Sequence, residues 1–395
     1  MKFDIYHQAG FRYQWNIQSI NDDGTGDGII IGARSVEKDK VEQLPLKVRK
    51  KAIFDPQFFL PAVPKGQLAT YDFFPHLASD GFSSSDYADE SAGISASGCV
   101  AFQVQNRFRH VVIPTRYMAG MPGDFIKTQN SLFVVPFLEA IASQDGDHSA
   151  LLQLVVTDNM LKDDEYTADL LNWITGLEGV AGVYLIAEHN GSSKQIKDAD
   201  FLYRLLRFTL ALRQNDMVVV LGYLNTEAVL LSLSDPSVVT MGVYENTRAF
   251  KIRTFEDNDT KQRGPSPRLY MARCLQWIDR NYHGAIERRL PGGKELFDQN
   301  KYQAIMFRPS FKWHFSKPEL YKHHFVELSR QLRQISELEG RARFKHVKAI
   351  IEAAMKNFKK MDESGIVLDQ DNDGSHLAAW MTAGNEFAKD QGWQN

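Results

Sequence analysis

Cysteine is almost absent from this chain: Cys99 and Cys274 are the only two, each isolated in sequence. That excludes a disulfide framework and a thiolate zinc site, and reduced thiols suit a cytoplasmic protein. No 18 apolar residues run uninterrupted, so no membrane span is expected. The start, MKFDIYHQAGFRYQWNI, lacks the apolar segment of a secretory signal. Neither sign of charge dominates: 46 Lys and Arg stand against 49 Asp and Glu, and the formal net charge of -3 names no partner. No G-x-G-x-x-G or G-x-x-x-x-G-K loop follows any apolar run, which removes the commonest mark of an open nucleotide-binding sheet. The glycines of NDDGTGDG have the wrong spacing for phosphate and suit turns instead. H-E-x-x-H and Cys-x-x-Cys are missing too, and the first strand candidate carries FDPQF rather than the H-x-H of barrel hydrolases.

What is present is an ordinary globular composition, 43 % apolar and 24 % charged over 395 residues, enough for one large domain with attachments or for two. Residues 1–50 hold two strand-like runs, KFDIYHQAGFRYQWNIQSI and GIIIGARSV, around a turn-rich stretch. This reads as an N-terminal β-hairpin segment.

From residue 51 short apolar runs alternate with amphipathic ones. The runs are AIFDPQFF, HVVIPTRYM, LLQLVVTDN, GVYLIAEHN, MVVVLGYLN, VVTMGVYEN and, less regular, YQAIMFRP. Their Val, Ile and Leu lack clean alternation, as in strands buried on both faces. DDEYTADLLNWITGL and DADFLYRLLRFTLALRQ lie between them as helices, opened by aspartates suited to N-caps. Strand–helix alternation gives parallel pairing through right-handed crossovers. Residues 51–310 therefore read as a (β/α)8 barrel of TIM type, with an open doubly wound sheet as the alternative. LATYDFFPHLASDGFSSSDYADESAGISASG, between the first two of these runs, is too long for a plain connection and reads as a lid or binding loop, part of it packed through Tyr71, Phe73, Phe74 and Phe82.

Residues 311–395 read as a helical extension, two amphipathic helices divided at Gly340. Leu320 to Met361 carries ten Lys and Arg against four Glu, and Asp362 to Asn395 carries seven acids against one lysine. The basic helices and acidic tail either neutralise each other or leave a polyanion-binding face with a competing tail. Just before them, aromatic residues alternate with cations in YQAIMFRPSFKWHFSKPELYKHH. Arg308, Lys312, Trp313 and Lys317 are candidates for nucleic-acid contact by stacking and charge, or else the aromatics dock the extension onto the barrel. DQDNDGSHLAAW opens like a calcium loop but ends in Trp380 instead of a bidentate Glu, so an acidic surface loop is expected. His323 and His324 are adjacent on a helix and point about 100° apart, which makes them poor co-ligands.

In a parallel barrel the chemistry gathers where the strands end. The apolar runs end in Asp55 with Gln57, Thr115 with Arg116, Asp158 with Asn159, Glu188 with His189 and Asn190, Tyr223 with Asn225, and Glu245 with Asn246 and Arg248. Each alone could be a turn former or helix cap. As a series they suggest a ring of catalytic carboxylates, Asp55, Asp158, Glu188 and Glu245. Gln57, Arg116, His189, Tyr223, Asn225, Asn246 and Arg248 would then bind substrate. One protonated carboxyl beside one ionised carboxylate is the pair that breaks glycosidic bonds, with Glu188 and Glu245 the first to test. Asp158, Glu188, His189 and Glu245 would also suit a divalent Mg2+ or Mn2+ ion, although no cofactor is required.

A carboxylate-lined barrel with a basic appendix is broadly similar to the tRNA-guanine transglycosylases, which exchange a base through an Asp-dependent glycosyl mechanism. Their clustered Cys and His zinc site has no counterpart here, and no residue is carried over. The expected function is an enzyme acting on a glycosidic or N-glycosidic bond in a nucleotide or nucleic acid. The alternative is a non-catalytic interaction subunit of a multi-protein bacterial assembly, such as one for phage defence, docking protein or nucleic acid through its C-terminal helices.

Overall fold

Eight parallel strands surround a common axis in the computed structural model, which describes residues 2–75, 87, 89–189, 191, 194–257 and 264–393. They are β1 (Asp4–Ala9), β2 (Gly28–Gly32), β3 (Ala52–Asp55), β4 (Val111–Ile113), β5 (Ala150–Thr157), β6 (Val180–Glu188), β7 (Val218–Gly222) and β8 (Val238–Gly242). Hydrogen bonding runs in the order β3-β2-β1-β8-β7-β6-β5-β4. The ring is nearly closed between β3 and β4, where the Arg109 N–H donates to Ala52 O at 2.9 Å. The chain is thus a (β/α)8 barrel, with major crossover helices α1 (Tyr13–Asp23), α2 (Asp89–Gln105), α3 (Val135–Ala142), α4 (Asp164–Thr175) and α5 (Ala199–Gln214).

The strands form where β-branched and leucine residues can be buried on both sides. One set of side chains, including Ile5, Ile29, Phe54, Leu152 and Val219, meets the helices; the alternate set, including Tyr6, Ile30, Ile53, Leu151, Tyr184 and Val220, fills the barrel. The aspartates read as caps do that work. Asp163 accepts from Tyr166 N–H at 2.9 Å to start α4, and Asp198 accepts from Phe201 N–H at 3.0 Å to start α5.

Three expectations are corrected. Residues 1–50 form no hairpin: β1 and β2 are parallel, joined by α1, and supply the first two barrel strands. Of the strand-like run KFDIYHQAGFRYQWNIQSI only Asp4–Ala9 is strand; its polar second half and the NDD of the expected turn form the crossover helix α1, ended by Gly24 at φ 65°. YQAIMFRP is not a strand; Lys301–Met306 is a short helix capped by Asn300. In the long 68–98 segment, Tyr71, Phe73 and Phe74 are buried as expected, but α2 begins at Asp89, its small residues letting it pack closely against Phe73 at Gly98. Phe82 lies outside the described residues, as do Asn190 and positions 258–263.

Beyond β8, an antiparallel pair, β9 (Arg268–Met271) and β10 (Gln276–Asp279), is followed by three long helices, α6 (Pro318–Ser336), α7 (Gly340–Glu363) and α8 (His376–Asp390). Gly340, at φ 47°, marks the break between the two basic helices. Trp380, wholly buried, donates through Nε1 to Ile196 O at 3.0 Å and pins α8 to the barrel. The segment resembling a calcium loop is held by its own turns: Asp369 accepts from Asp371 N–H at 3.0 Å and from Asn372 Nδ2 at 2.6 Å. His323 and His324 are core residues, the first 2.9 Å from Tyr270 O and the second packed against Tyr270 and Trp277. No helix among the described residues is long and apolar enough to cross a membrane.

Candidate active site at the carboxyl-terminal end of the barrel

The inward alternation of the strands carries a few polar side chains into an apolar interior, and they converge on Asp55. Gln8 of β1, Asp55 of β3, Gln153 of β5 and Tyr184 of β6 are all fully or almost fully buried. Asp55 Oδ1 accepts from the Gln57 N–H at 3.2 Å and from Gln153 Nε2. Its Oδ2 lies 3.2 Å from the Tyr184 hydroxyl and 3.3 Å from the Tyr223 hydroxyl. Gln8 Oε1 is a second acceptor for Tyr184, at 3.2 Å, and Gln57 Nε2 donates to the Tyr223 oxygen at 2.6 Å.

Burial pushes the Asp55 carboxyl up to about 7, and its donors Gln153, Tyr184, Tyr223 and Gln57 only partly offset this. Asp55 can therefore hold or release a proton near neutrality, the requirement for acid/base work.

The local backbone is built around this network. Gln57 and Tyr223, just past β3 and β7, both adopt left-handed φ, 59° and 56°. Side chains other than glycine reach that region at a cost of roughly 1–2 kcal/mol, sustained only where surrounding contacts fix it. Glycines at two strand ends make the room: a Cβ on Gly222 would fall 2.4 Å from the Tyr184 ring, and one on Gly32 would fall 2.6 Å from Gln57 Nε2.

A second inward carboxylate, Glu188, ends β6. It is 3 % exposed, accepts from Ile252 N–H at 2.7 Å, and takes a hydrogen bond from the Tyr117 hydroxyl. Above the network, Phe59, Phe250 and Phe255 close the mouth, with ring centroids 4.9 Å apart for Phe59–Phe250 and for Phe59–Phe255. Phe250 also lies edge-on to Tyr223, at 5.5 Å. The segment from Ala249 to Asp257 is thus a cover, tied down by Ile252 to Glu188, by Lys251 Nζ to His189 O, and by the Lys65–Asp257 pair at 3.2 Å. A polar cleft of about 400 Å³, lined by Arg273, Glu295, Phe297, Asp298, Gln299 and Arg330, shares no residue with this network.

Of the sequence candidates, the structure gathers Asp55, Gln57 and Tyr223, with Glu188 at the same mouth. The other two carboxylates are engaged elsewhere, and among the described residues no hydrogen bond or ion pair joins any two of the four. Asp158 stands in the first turn of a short helix capped by Thr157 and pairs with Lys162 at 3.1 Å. Glu245 is exposed and pairs with Lys194 at 2.9 Å; burial works against its charge, but Lys194, Arg248 and Arg268 hold its carboxyl below the usual range. His189 packs on Phe201 and accepts from Gly191 N–H, and burial lowers its basicity. Arg116 exchanges backbone hydrogen bonds with the Gln129 side chain, and Asn246 lies partly exposed in the short helix Glu245–Arg248 after β8.

Asn225 and Arg248 belong to a neighbouring buried cluster. Asn225 Oδ1 accepts from Trp277 Nε1 at 3.2 Å, and the Arg248 guanidinium lies 3.9 Å above the Trp277 ring. Burial lowers Arg248 to about 10 and raises the adjacent Glu227 to about 7. Trp313 is packed against His283, Phe307, Phe311 and Arg280; Lys317 lies over Phe311, while Arg308 and Lys312 are exposed.

Gln8, Gln153, Tyr184, Tyr117 and Glu227 were not singled out from the sequence. A lone polar or hydroxyl-bearing residue inside an apolar run, as in LLQLVV and GVYLIA, is the signal that could have found two of them. Among the described residues no three His, Cys, Asp or Glu side chains are placed to hold one metal ion. The fold and site together define a (β/α)8 barrel with a buried, hydrogen-bonded carboxyl at its carboxyl-terminal end. No protein-family model matches the chain, and no curated protein matches it.

Proposed function

We propose that this barrel is an enzyme in which Asp55 exchanges a proton with the substrate and Glu188 serves as the second carboxylate. The observation that carries the reading is Asp55 itself, a fully buried carboxyl raised to about 7 among tyrosine and glutamine partners at the strand ends. Two carboxyls in unlike surroundings suit cleavage or exchange of a glycosidic or N-glycosidic bond, one protonating the departing group and the other countering positive charge on the sugar. The substrate class is a nucleotide or a nucleic-acid constituent, and access requires the Phe250–Phe255 cover to lift. Glu245 is left out of the reacting pair because it is exposed and neutralised by Lys194.

The test is release of base or sugar from a panel of nucleosides, nucleotides and aryl glycosides. Asp55→Asn should abolish turnover with the fold retained by circular dichroism, Glu188→Gln should lower it severely, and Glu245→Gln should leave it nearly intact. Full activity in Asp55→Asn would overturn the assignment.

A second reading, a non-catalytic interaction subunit, is favoured by the aromatic closure of the mouth. It predicts no turnover on the whole panel and no change in partner binding on replacing Asp55.

A further inference from the structure

Four acids of the C-terminal segment are engaged away from the basic helices. Asp371 and Asp373 lie 3.9 Å from Lys194 and Lys197, Asp369 accepts from the Tyr282 hydroxyl, and Asp390 accepts from the Tyr203 hydroxyl. Helix α7 is left with one charged face. At 100° per residue, Arg341, Lys345, Lys348, Lys356 and Lys359 fall within an arc of roughly 80° and span about 27 Å along the axis, with Glu352 and Glu363 the two acids in the same arc. The opposite face holds Arg343, Phe344, Val347, Ile351 and Ala354, all buried. Among the stripe residues only Lys348 and Lys359 have local acids, Glu352 and Glu363, at 3.9 and 3.8 Å. Such exposed pairs are worth little against a polyanion. No ion pair among the described residues ties the five cations to an acid after Glu363.

We propose that this face of α7 binds the phosphate backbone of double-stranded nucleic acid, without regard to sequence. Five cations over about 27 Å match the rise of roughly eight base pairs at 3.4 Å each. Stacking on single strands needs exposed aromatic rings, and the two aromatic residues of α7 face the protein: Phe344 is buried and Phe358 packs on Gly374. A membrane-surface helix would need its apolar face for lipid, and here that face is in the protein core. This inference is independent of the Asp55 chemistry, since it involves no residue of the mouth.

The test is fluorescence anisotropy of labelled DNA and RNA duplexes of about 20 base pairs, titrated with the full chain from about 50 to 300 mM KCl. Five phosphate contacts predict a log–log salt slope of about −4.5 on DNA, falling to about −2 in the triple variant Lys345→Gln, Lys356→Gln, Lys359→Gln, with at least tenfold weaker binding. The substituted lysines are exposed, and an unchanged melting temperature confirms the fold. Absence of duplex binding at low salt, an unchanged slope in the triple variant, or capture by phosphatidylserine vesicles without duplex binding would each overturn the proposal.

Discussion

Asp55 and Tyr184 meet across the barrel, with 3.2 Å between the Tyr184 hydroxyl and Asp55 Oδ2, although one ends β3 and the other sits in the middle of β6. The contact exists because Gly222, level with Ile186 on the neighbouring strand, leaves room for the tyrosine ring. A hydroxyl that donates to a carboxylate favours the ionised form, so the tyrosines moderate a shift that burial alone would make larger.

Tyr184→Phe should therefore raise the Asp55 pKa further above 7, by about one unit for the loss of one hydrogen bond to a charged group. Carboxyl carbon NMR titration of the wild type and variant measures this without a substrate. An unchanged or lowered value would remove the hydroxyl from any role in tuning Asp55.

The cover should depend on Glu188. Glu188→Ala deletes the acceptor for Ile252 N–H and for Tyr117. A hydrogen bond to a charged group is worth about 1.5–3 kcal/mol, so the Ile252 amide should exchange with solvent at least about tenfold faster. Amides of β6 itself should keep their protection in the same hydrogen-exchange experiment.

Acid should destabilise the protein well before ordinary carboxylates titrate. Burial lowers His7, His283 and His376 to about 3, lowers His323 to about 4, and drives His324 down as well. An imidazole with a depressed folded pKa contributes its full stability above the unfolded value of about 6.5, and that stability is lost as pH falls towards the folded value. Asp55 and Glu227, raised to about 7, act in the opposite sense by favouring the fold as pH falls from 7 towards 4. His110, lowered to about 4, and His189 add to these five, and Asp298 and Glu327, raised by burial, add to the two; seven histidines outnumber four carboxyls, so urea midpoints should fall between pH 7 and pH 5. A flat or rising midpoint would contradict the burial of these imidazoles in the neutral form.

Removing Arg343 should cost about 3–5 kcal/mol. Its guanidinium is almost fully buried, donating to Asp235 and Ser232 O at 2.9 Å and to Leu338 O at 2.8 Å, and it ties α7 to the turn before β8. In Arg343→Ala the midpoint of urea unfolding should drop sharply, while Lys345→Ala on the exposed face should change it by less than about 0.5 kcal/mol.

Six barrel strands were legible because each is a Val, Ile and Leu run ending in a polar residue. β1 and β2 read as a hairpin because DIYHQA and GIIIG flank a polar helix whose amphipathic signal is faint. Only their pairing with β8 and β3 reveals parallel order, and pairing partners are not encoded locally. The site was legible in part for a related reason. Asp55, Gln57, Tyr223 and Glu188 announce themselves at strand ends, but Gln8, Gln153 and Tyr184 lie inside strands, and their convergence depends on register and barrel stagger. Asp158 and Glu245 show the converse: a carboxylate at the right sequence position can serve a helix turn or a surface ion pair.

The joint between β1 and β8, five aligned pairs from Asp4↔Val238 to Gln8↔Gly242, has a consequence for biosynthesis. One edge of β1 has no partner until Gly242 has left the ribosome, which at 5–20 residues per second leaves it exposed for on the order of tens of seconds. Through that interval the nascent chain presents one unpaired edge of a strand in which Ile5, Tyr6 and Ala9 are interspersed with polar residues. Cotranslational chaperone contact with DIYHQA should therefore end only when β8 emerges.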